Sequence, residues 1–118
     1  MEALNNLLKE LAAVSGVQAA LVVGHEGFVI DGVSTSSGLD NEVIGATISA
    51  EISSAAVMGD ELKLGNFTHL MIEFEKGVIV INTIGSDALL AVVAEKDAML
   101  GNIRYQVKKY TPAIENLL

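Results

Sequence analysis

The sequence predicts an α+β domain: a five-stranded, mostly antiparallel sheet with helices on both faces, its elements in the order α-β-β-α-β-β-β-α. Apolar residues recur at helical spacing in three segments, and five short β-type runs lie between those segments. Turns of three or four residues that contain glycine join several consecutive runs, as is typical of antiparallel strands. The 118 residues show no linker, repeat or low-complexity tract, so we expect one domain over residues 1–118.

The N-terminal third of the chain predicts a helix and a hairpin. From Leu4, leucine and valine recur at steps of three, four, seven and ten positions, which gives residues 3–14 the stripe of an amphipathic helix that ends at Gly16. Val17 to Val23 and Phe28 to Val33 are β-type runs joined by a four-residue turn with two glycines. This arrangement is typical of a β-hairpin.

A loop at residues 34–38 leads into the central helix. Asp40 has the short acidic side chain of an N-cap, and the helix is expected to span residues 41–58. Gly59 marks its expected end, and one further turn to Leu64 is the alternative.

The second half of the chain predicts three strands followed by a helix. The strands are expected at Asn66 to Glu75, Val78 to Ile84 and Ala88 to Ala94, with short turns between them. The middle run is apolar on both faces, so it should lie inside the sheet and be covered on both sides. Asp97 is the expected cap of the last helix, which should run to Tyr110 before Pro112 breaks or kinks it.

Composition excludes several functional classes. The chain has 7 basic and 15 acidic residues and a net charge of −8, which argues against nucleic acid or an anionic membrane as the main partner. Cysteine is absent, so disulfides, thiolate metal sites and thiol catalysis are excluded. The longest apolar run, residues 88–94, is far shorter than the roughly 20 residues of a membrane-spanning helix. No signal peptide is evident, and a cytoplasmic protein without membrane insertion is expected.

The central helix is the clearest candidate for an interaction surface. Its isoleucines share an arc of about 80° on a helical wheel, and small residues fill the adjoining sector. Small residues permit close helix–helix approach, which predicts a homodimer contact; the alternative is that they let the helix lie close to its own sheet. The hydrophobic content of 51% also favours self-association, because an interface removes apolar surface from water. The small residues predicted for the contact are Gly45, Ser49, Ser53 and Ala56.

No arrangement of residues in the sequence predicts catalysis, a metal site or a bound cofactor. Phosphate-binding glycine loops, the serine-nucleophile elbow and the paired-histidine zinc motif are absent. His25 is expected in the exposed hairpin turn, and Asp31 and Asp87 are better explained by a strand end and a turn than by an acid–base pair. Arg104, the only arginine, lies with two lysines on the last helix, where cations favour the helix C-terminus; an acidic partner is the alternative.

Three stretches carry a resemblance to a known family. Residues 17–23 followed by Gly27-Phe28-Val29-Ile30-Asp31-Gly32 resemble the first hairpin of the Roadblock (dynein light chain) family. The Ala- and Ser-rich helix at 41–58 is similar to its central helix, and residues 87–94 followed by Met99-Leu100-Gly101 resemble its last strand and helix. The resemblance covers essentially the whole chain, and it implies a five-stranded sheet with one helix on one face and two on the other.

The resemblance also implies a mode of assembly. Family members dimerise by pairing an edge strand, here residues 66–75, and by laying the two central helices side by side as a platform. Three residues around the edge strand would then join the small residues of the helix at the dimer interface: Phe67, His69 and Met71.

Family members act as regulators or scaffolds of small Ras-like GTPases, and some are adaptors in dynein motors. The resemblance therefore implies a non-catalytic homodimer that binds and regulates a small Ras-like GTPase. Because the family places the helix of Arg104 away from the platform, activation of the GTPase is expected to proceed without an inserted arginine. The alternative is a scaffold of a larger motor or signalling assembly that has no GTPase contact. The predicted GTPase contacts, on the outer side of the paired helices, are Thr47, Glu51, Ser54 and Met58.

Overall fold

In residues 2–35 and 38–118, which a computed structural model describes, the chain forms three helices and five strands. In chain order the elements are α1 Glu2–Ala12, β1 Val17–Gly24, β2 Val29–Ser34, α2 Asn41–Glu61, β3 His69–Phe74, β4 Gly77–Ile84, β5 Ala88–Glu95 and α3 Leu100–Glu115. The strands pair in the order β2-β1-β5-β4-β3, and every neighbouring pair is antiparallel. The predicted fold class and element order are confirmed. Part of the predicted loop at 34–38, residues 36 and 37, lies outside the described residues.

The sheet separates two layers of helices. Successive side chains of a strand point to opposite faces, so alternate residues enter different cores. α1 and α3 pack on one face, where Leu8, Val80 and Val107 are fully buried. α2 lies on the other face, over a smaller core that includes Ile52 and Ile81. This is the arrangement of one helix against two that the resemblance implied.

β4 lies inside the sheet, as its sequence predicts. Val78 and Val80 join the core under α1 and α3, whereas Ile79 and Ile81 face α2. β3 is the edge strand beside it and is shorter than expected, since it begins only at His69.

α2 begins where the sequence predicts but ends later. The Oδ1 of Asp40 accepts a hydrogen bond of 2.9 Å from a backbone N–H of the first turn, which confirms the N-cap. The helix continues for two residues past Gly59, so the expected end there is wrong. Lys63, with a φ of 58°, takes the left-handed conformation that ends the helix, and the Leu64 N–H donates to the Gly59 carbonyl. Gly59 instead allows the backbone of Gly65 to lie close to the helix, because a Cβ at position 59 would lie 2.7 Å from the carbonyl oxygen of Gly65.

α3 begins without the predicted acidic cap. Asp97 belongs to the turn before the helix, and Met99 occupies the N-cap position with no side-chain hydrogen bond, so the prediction for Asp97 is wrong. The backbone alone closes the first turn, where the N–H of Ile103 donates to the Met99 carbonyl.

Pro112 lies within α3 and does not end it. The helix continues to Glu115, although proline removes one backbone donor. The Thr111 hydroxyl donates to the Val107 carbonyl at 2.7 Å, and Ile114 beyond the proline is fully buried. Burial of the last turn against the sheet therefore outweighs the lost hydrogen bond.

Candidate protein-interaction surface

α2 leaves most of its surface open to solvent. Of its 21 residues only Gly45, Ile48 and Ile52 are buried, whereas Val57 and Met58 are 61% and 57% exposed. The chain exposes 6866 Å², about 750 Å² more than the scaling law gives for a monomer of this mass. That excess is close to the roughly 800 Å² that each partner contributes to a standard interface.

Two of the small residues of α2 contact the chain's own hairpin. A Cβ at Gly45 would lie 2.8 Å from Cγ2 of Val29 and 3.0 Å from the carbonyl oxygen of Gly27. The Ser49 hydroxyl donates to the carbonyl of His25 at 2.9 Å. At these two positions, packing within the chain explains the small size, which was the alternative drawn from the sequence. A role for them in a dimer stays a prediction.

The other two small residues predicted for the dimer contact are exposed. Ser53 donates from its hydroxyl to the Ser49 carbonyl at 3.0 Å, and Ala56 lies one turn further along. Both border a cavity of about 340 Å³ whose wall includes Phe67, just before the edge strand. The structure therefore brings Ser53, Ala56 and Phe67 together beside α2.

The two predicted interface residues of the edge strand lie on the opposite face of the sheet. Met71 pairs with Val80 and packs against the core under α1 and α3. His69 pairs with Asn82, and its Nδ1 hydrogen-bonds to the Asn82 side chain. The predicted dimer residues thus occupy both faces of the sheet.

An apolar groove of about 290 Å³ lies along the other side of α2, between the helix and the edge strand. Ile72 and Phe74 of β3 line it together with residues of β4, β5 and α2, and Phe74 is 56% exposed. Thr47 and Glu51 are the two polar side chains among the described residues at its border. Because it opens at an edge strand with unpaired backbone groups, the apolar groove offers both apolar contact and backbone hydrogen bonds to a partner.

The four predicted GTPase contacts are all exposed. Thr47 and Glu51 border the apolar groove, whereas Ser54 and Met58 lie outside it on the same helix. Sequence reasoning missed the groove itself. The alternation of apolar residues along β3 that puts Ile72 and Phe74 on the face of α2 was visible, but one sequence could not show that α2 leaves them uncovered.

Two of the polar residues considered for chemistry, Asp31 and His25, make hydrogen bonds between elements of the fold. The Asp31 carboxylate accepts from the Asn5 side chain at 3.3 Å, which ties β2 to α1. His25 hydrogen-bonds to the Ser86 carbonyl and so links the first hairpin turn to the turn before β5, and Asp87 is exposed in that turn. Within the described ranges, no group of three or more acidic or histidine side chains could hold a metal ion. No helix in the same ranges has the length and apolar character needed to cross a membrane.

Arg104 lies on the face of the sheet opposite to α2. It borders a groove of about 590 Å³ between α3 and β3, together with Lys108 and His69. Lys109 points elsewhere and lies 5.8 Å from the centre of the Tyr110 ring. Of the three cations of α3, Arg104 and Lys108 therefore face this groove and Lys109 does not.

An antiparallel five-stranded sheet with two helices on one face and one largely exposed helix on the other defines a Roadblock-like fold. The chain belongs to the Roadblock/LC7 domain family, whose model matches residues 3–94. It is 30% identical over 112 residues to the uncharacterized protein MJ0310 of Methanocaldococcus jannaschii, and the match covers 95% of this chain and 96% of that protein.

Solved structures show the same fold. An MglB structure described as having a tetrameric arrangement superposes with a TM-score of 0.90 at 19% identity, covering 98% of this chain and 87% of that one. MglB of Myxococcus xanthus superposes with a TM-score of 0.89 at 16% identity, covering 97% and 93%. At these identities the likeness concerns the fold.

Proposed function

We propose that the chain is a non-catalytic homodimeric module that binds and regulates a small Ras-like GTPase. The observation that carries this proposal is the exposure of α2, of whose 21 residues only three are buried. A helix in a protein gains most of its stability from packing, and an exposed apolar patch marks an interaction site, so a long helix with this much exposed apolar surface indicates a partner. Membership of the Roadblock/LC7 family supports the nature of that partner. A cytoplasmic location remains a prediction.

Homodimerisation is supported by the continuity between the apolar groove and the edge strand. A second copy that pairs its own β3 with this one would satisfy the open backbone groups and extend the sheet. A two-fold axis perpendicular to the sheet places both α2 helices on the same face, so the second copy covers Ile72 and Phe74. The tetrameric arrangement described for one MglB structure is consistent with a fold that self-associates.

The GTPase is expected on the outward side of the paired α2 helices. Ser54 and Met58 are exposed there and lie outside the apolar groove, and Thr47 and Glu51 lie at its border. Arg104, the only arginine, is on the opposite face of the sheet. Activation of the GTPase would therefore act by repositioning its own catalytic residues and not by an inserted arginine.

The homodimer is tested by placing a charge in the apolar groove. Phe74→Glu changes a side chain that is already 56% exposed, so the monomer core stays intact. A carboxylate buried at an interface without a partner is costly, and we expect dimer dissociation to rise at least about tenfold in sedimentation equilibrium. Phe28→Glu, at a phenylalanine that is 71% exposed outside the groove, is the matched control and should behave as the wild type. A wild-type protein that stays monomeric at about 100 µM would contradict the proposal, since interfaces of standard size bind more tightly.

The regulator is tested by affinity capture with defined nucleotides. The immobilised protein is incubated with lysate of the source organism in the presence of GDP or a non-hydrolysable GTP analogue, and retained proteins are identified by mass spectrometry. We expect a small GTPase enriched in one nucleotide state. Met58→Glu should abolish its retention, whereas Met99→Glu, which alters an exposed methionine at the start of α3, should not. Retention of other proteins regardless of nucleotide, with no GTPase among them, would favour the scaffold instead.

A further inference from the structure

The edge strand β3 has a histidine at its beginning and acidic side chains at its end. His69 opens the strand, and Glu73 lies near its end on the same face, because both alternate with residues that face α2. Glu73 and Glu75, which follows the strand, are exposed. In an antiparallel pair of such strands, the end of one lies beside the beginning of the other.

A cationic groove adjoins the histidine end of the strand. It lies between β3 and α3, measures about 590 Å³, and is bordered by His69, Arg104 and Lys108. Arg104 and Lys108 are one helical turn apart and form no ion pair within residues 2–35 and 38–118. No acidic side chain is among the described residues that line the groove. Two unpaired cations thus face a cavity in a chain whose net charge is −8.

The symmetry of a dimer brings the two ends together. A two-fold axis perpendicular to the sheet keeps α2 on the same face in both copies, which allows pairing centred on Met71 or on Ile72. With the first centre, His69 lies opposite Glu73 of the second copy; with the second centre it lies beside the turn of the second copy that holds Glu75, just after the strand. Directly opposite residues of an antiparallel pair have Cβ atoms about 4.5–5.5 Å apart, on one face of the sheet. Either register therefore places a carboxylate at the mouth of the cationic groove.

We propose that the cationic groove binds the acidic end of the β3 strand of a second copy, and that this contact sets the register in which the two edge strands pair. Arg104 and Lys108 of one copy face Glu73 and Glu75 of the other, and the two-fold axis repeats the contact. The Nδ1 of His69 hydrogen-bonds to the Asn82 side chain, so its Nε2 is the ring nitrogen that would contact a glutamate of the second copy. Slipping the strands away from these registers leaves the cations without counter-charges. The inference rests on the homodimer proposed above and names the groups that orient it.

The test is a charge-swap series read by the dimer dissociation constant in sedimentation equilibrium. Arg104→Glu should weaken the dimer roughly tenfold, because each reversal replaces two attractive contacts by repulsive ones. Adding Glu73→Arg or Glu75→Arg to Arg104→Glu should restore the constant to within about threefold, and the variant that restores it identifies the register. Lys109→Glu is the matched control: it makes the same change of charge on the same helix outside the cationic groove.

Three results would overturn the inference, and they can be told apart. Equal effects of Arg104→Glu and Lys109→Glu would show that only net charge matters, and a dimer that neither glutamate reversal restores would show that these groups do not meet. Both results leave the homodimer itself standing. A wild-type chain that stays monomeric at about 100 µM would remove the homodimer and, with it, the inferred contact.

Discussion

Gly45 offers the sharpest test of how α2 is held on the sheet. An alanine in the middle of a helix normally stabilises it by about 1 kcal/mol over glycine. At Gly45, however, the new Cβ would lie 2.8 Å from Cγ2 of Val29 and 3.0 Å from the carbonyl oxygen of Gly27. Val29 is β-branched and has few alternative rotamers, and the oxygen belongs to a tight turn in which Gly27 has a φ of 89°. Neither neighbour can move away easily.

The expected size of the effect follows from these two opposing terms. Overpacking of this kind costs about 1–3 kcal/mol, so its central value of about 2 kcal/mol exceeds the gain in helix propensity by about 1 kcal/mol. We expect Gly45→Ala to lower the free energy of unfolding by about 1 kcal/mol, a fall in Tm of roughly 3–6 °C for a chain of this size. Gly101→Ala is the control. It adds a Cβ in the first turn of α3 with no atom within 4 Å, and should leave stability unchanged or raise it by up to about 1 kcal/mol.

The assay is urea unfolding followed by circular dichroism, with all variants at one protein concentration because dimerisation adds to apparent stability. A Gly45→Ala protein that is as stable as the wild type, or more so, would refute the close packing of α2 on the hairpin. If that variant also altered the dimer dissociation constant, Gly45 would belong to the dimer contact predicted from the sequence.

Three further predictions concern helix ends and one tyrosine. Asp40→Ala should destabilise the protein by about 1 kcal/mol in urea unfolding, because an orphan N–H of α2 loses its acceptor, and Asp40→Asn should retain most of the stability. Lys63→Gly should raise the free energy of unfolding by about 0.5–1 kcal/mol, because glycine adopts the left-handed conformation at that helix end without strain; an unchanged value would show that the conformation costs nothing there. Partial burial and the hydrogen bond from its hydroxyl to Glu10 raise the pKa of Tyr110 above its usual value near 10. The folded state then keeps a proton that the unfolded state has lost, so this contribution is complete below about pH 10 and is lost as the pH rises through the pKa of the folded state. Compared with Tyr110→Phe, the wild type should lose stability more steeply between pH 9 and 11 in urea titrations, and parallel curves would contradict the assignment.

Much of the fold could be predicted because its signals are local. The N-cap at Asp40 and the helical stripe that starts at Leu4 depend on residues within a few positions of each other. Two of the errors arose where packing against another part of the chain overrode a local rule. Pro112 predicts a break, but burial of Ile114 continues the helix, and Gly59 predicts an end but permits close approach of Gly65.

The candidate surface was predicted less completely than the fold. The exposure of Thr47, Glu51, Ser54 and Met58 agrees with the outer side of the helical wheel, although their contact with a GTPase stays a prediction. The sequence alone could not show which small residues of α2 contact the chain's own hairpin and which are free to contact a partner. Close packing on a hairpin and close packing on a partner need the same small side chains.

By itself the sequence determined the order of the elements, the doubly buried character of β4 and the absence of the recognised catalytic motifs, because each depends on periodicity, capping or composition. Only the tertiary structure decided that Gly45 and Ser49 serve the chain's own packing. It alone placed an apolar groove on one side of the edge strand and a cationic groove on the other. Those features arise where α2, β3 and α3, distant in the chain, come together, and their geometry is set by the packing of the whole sheet.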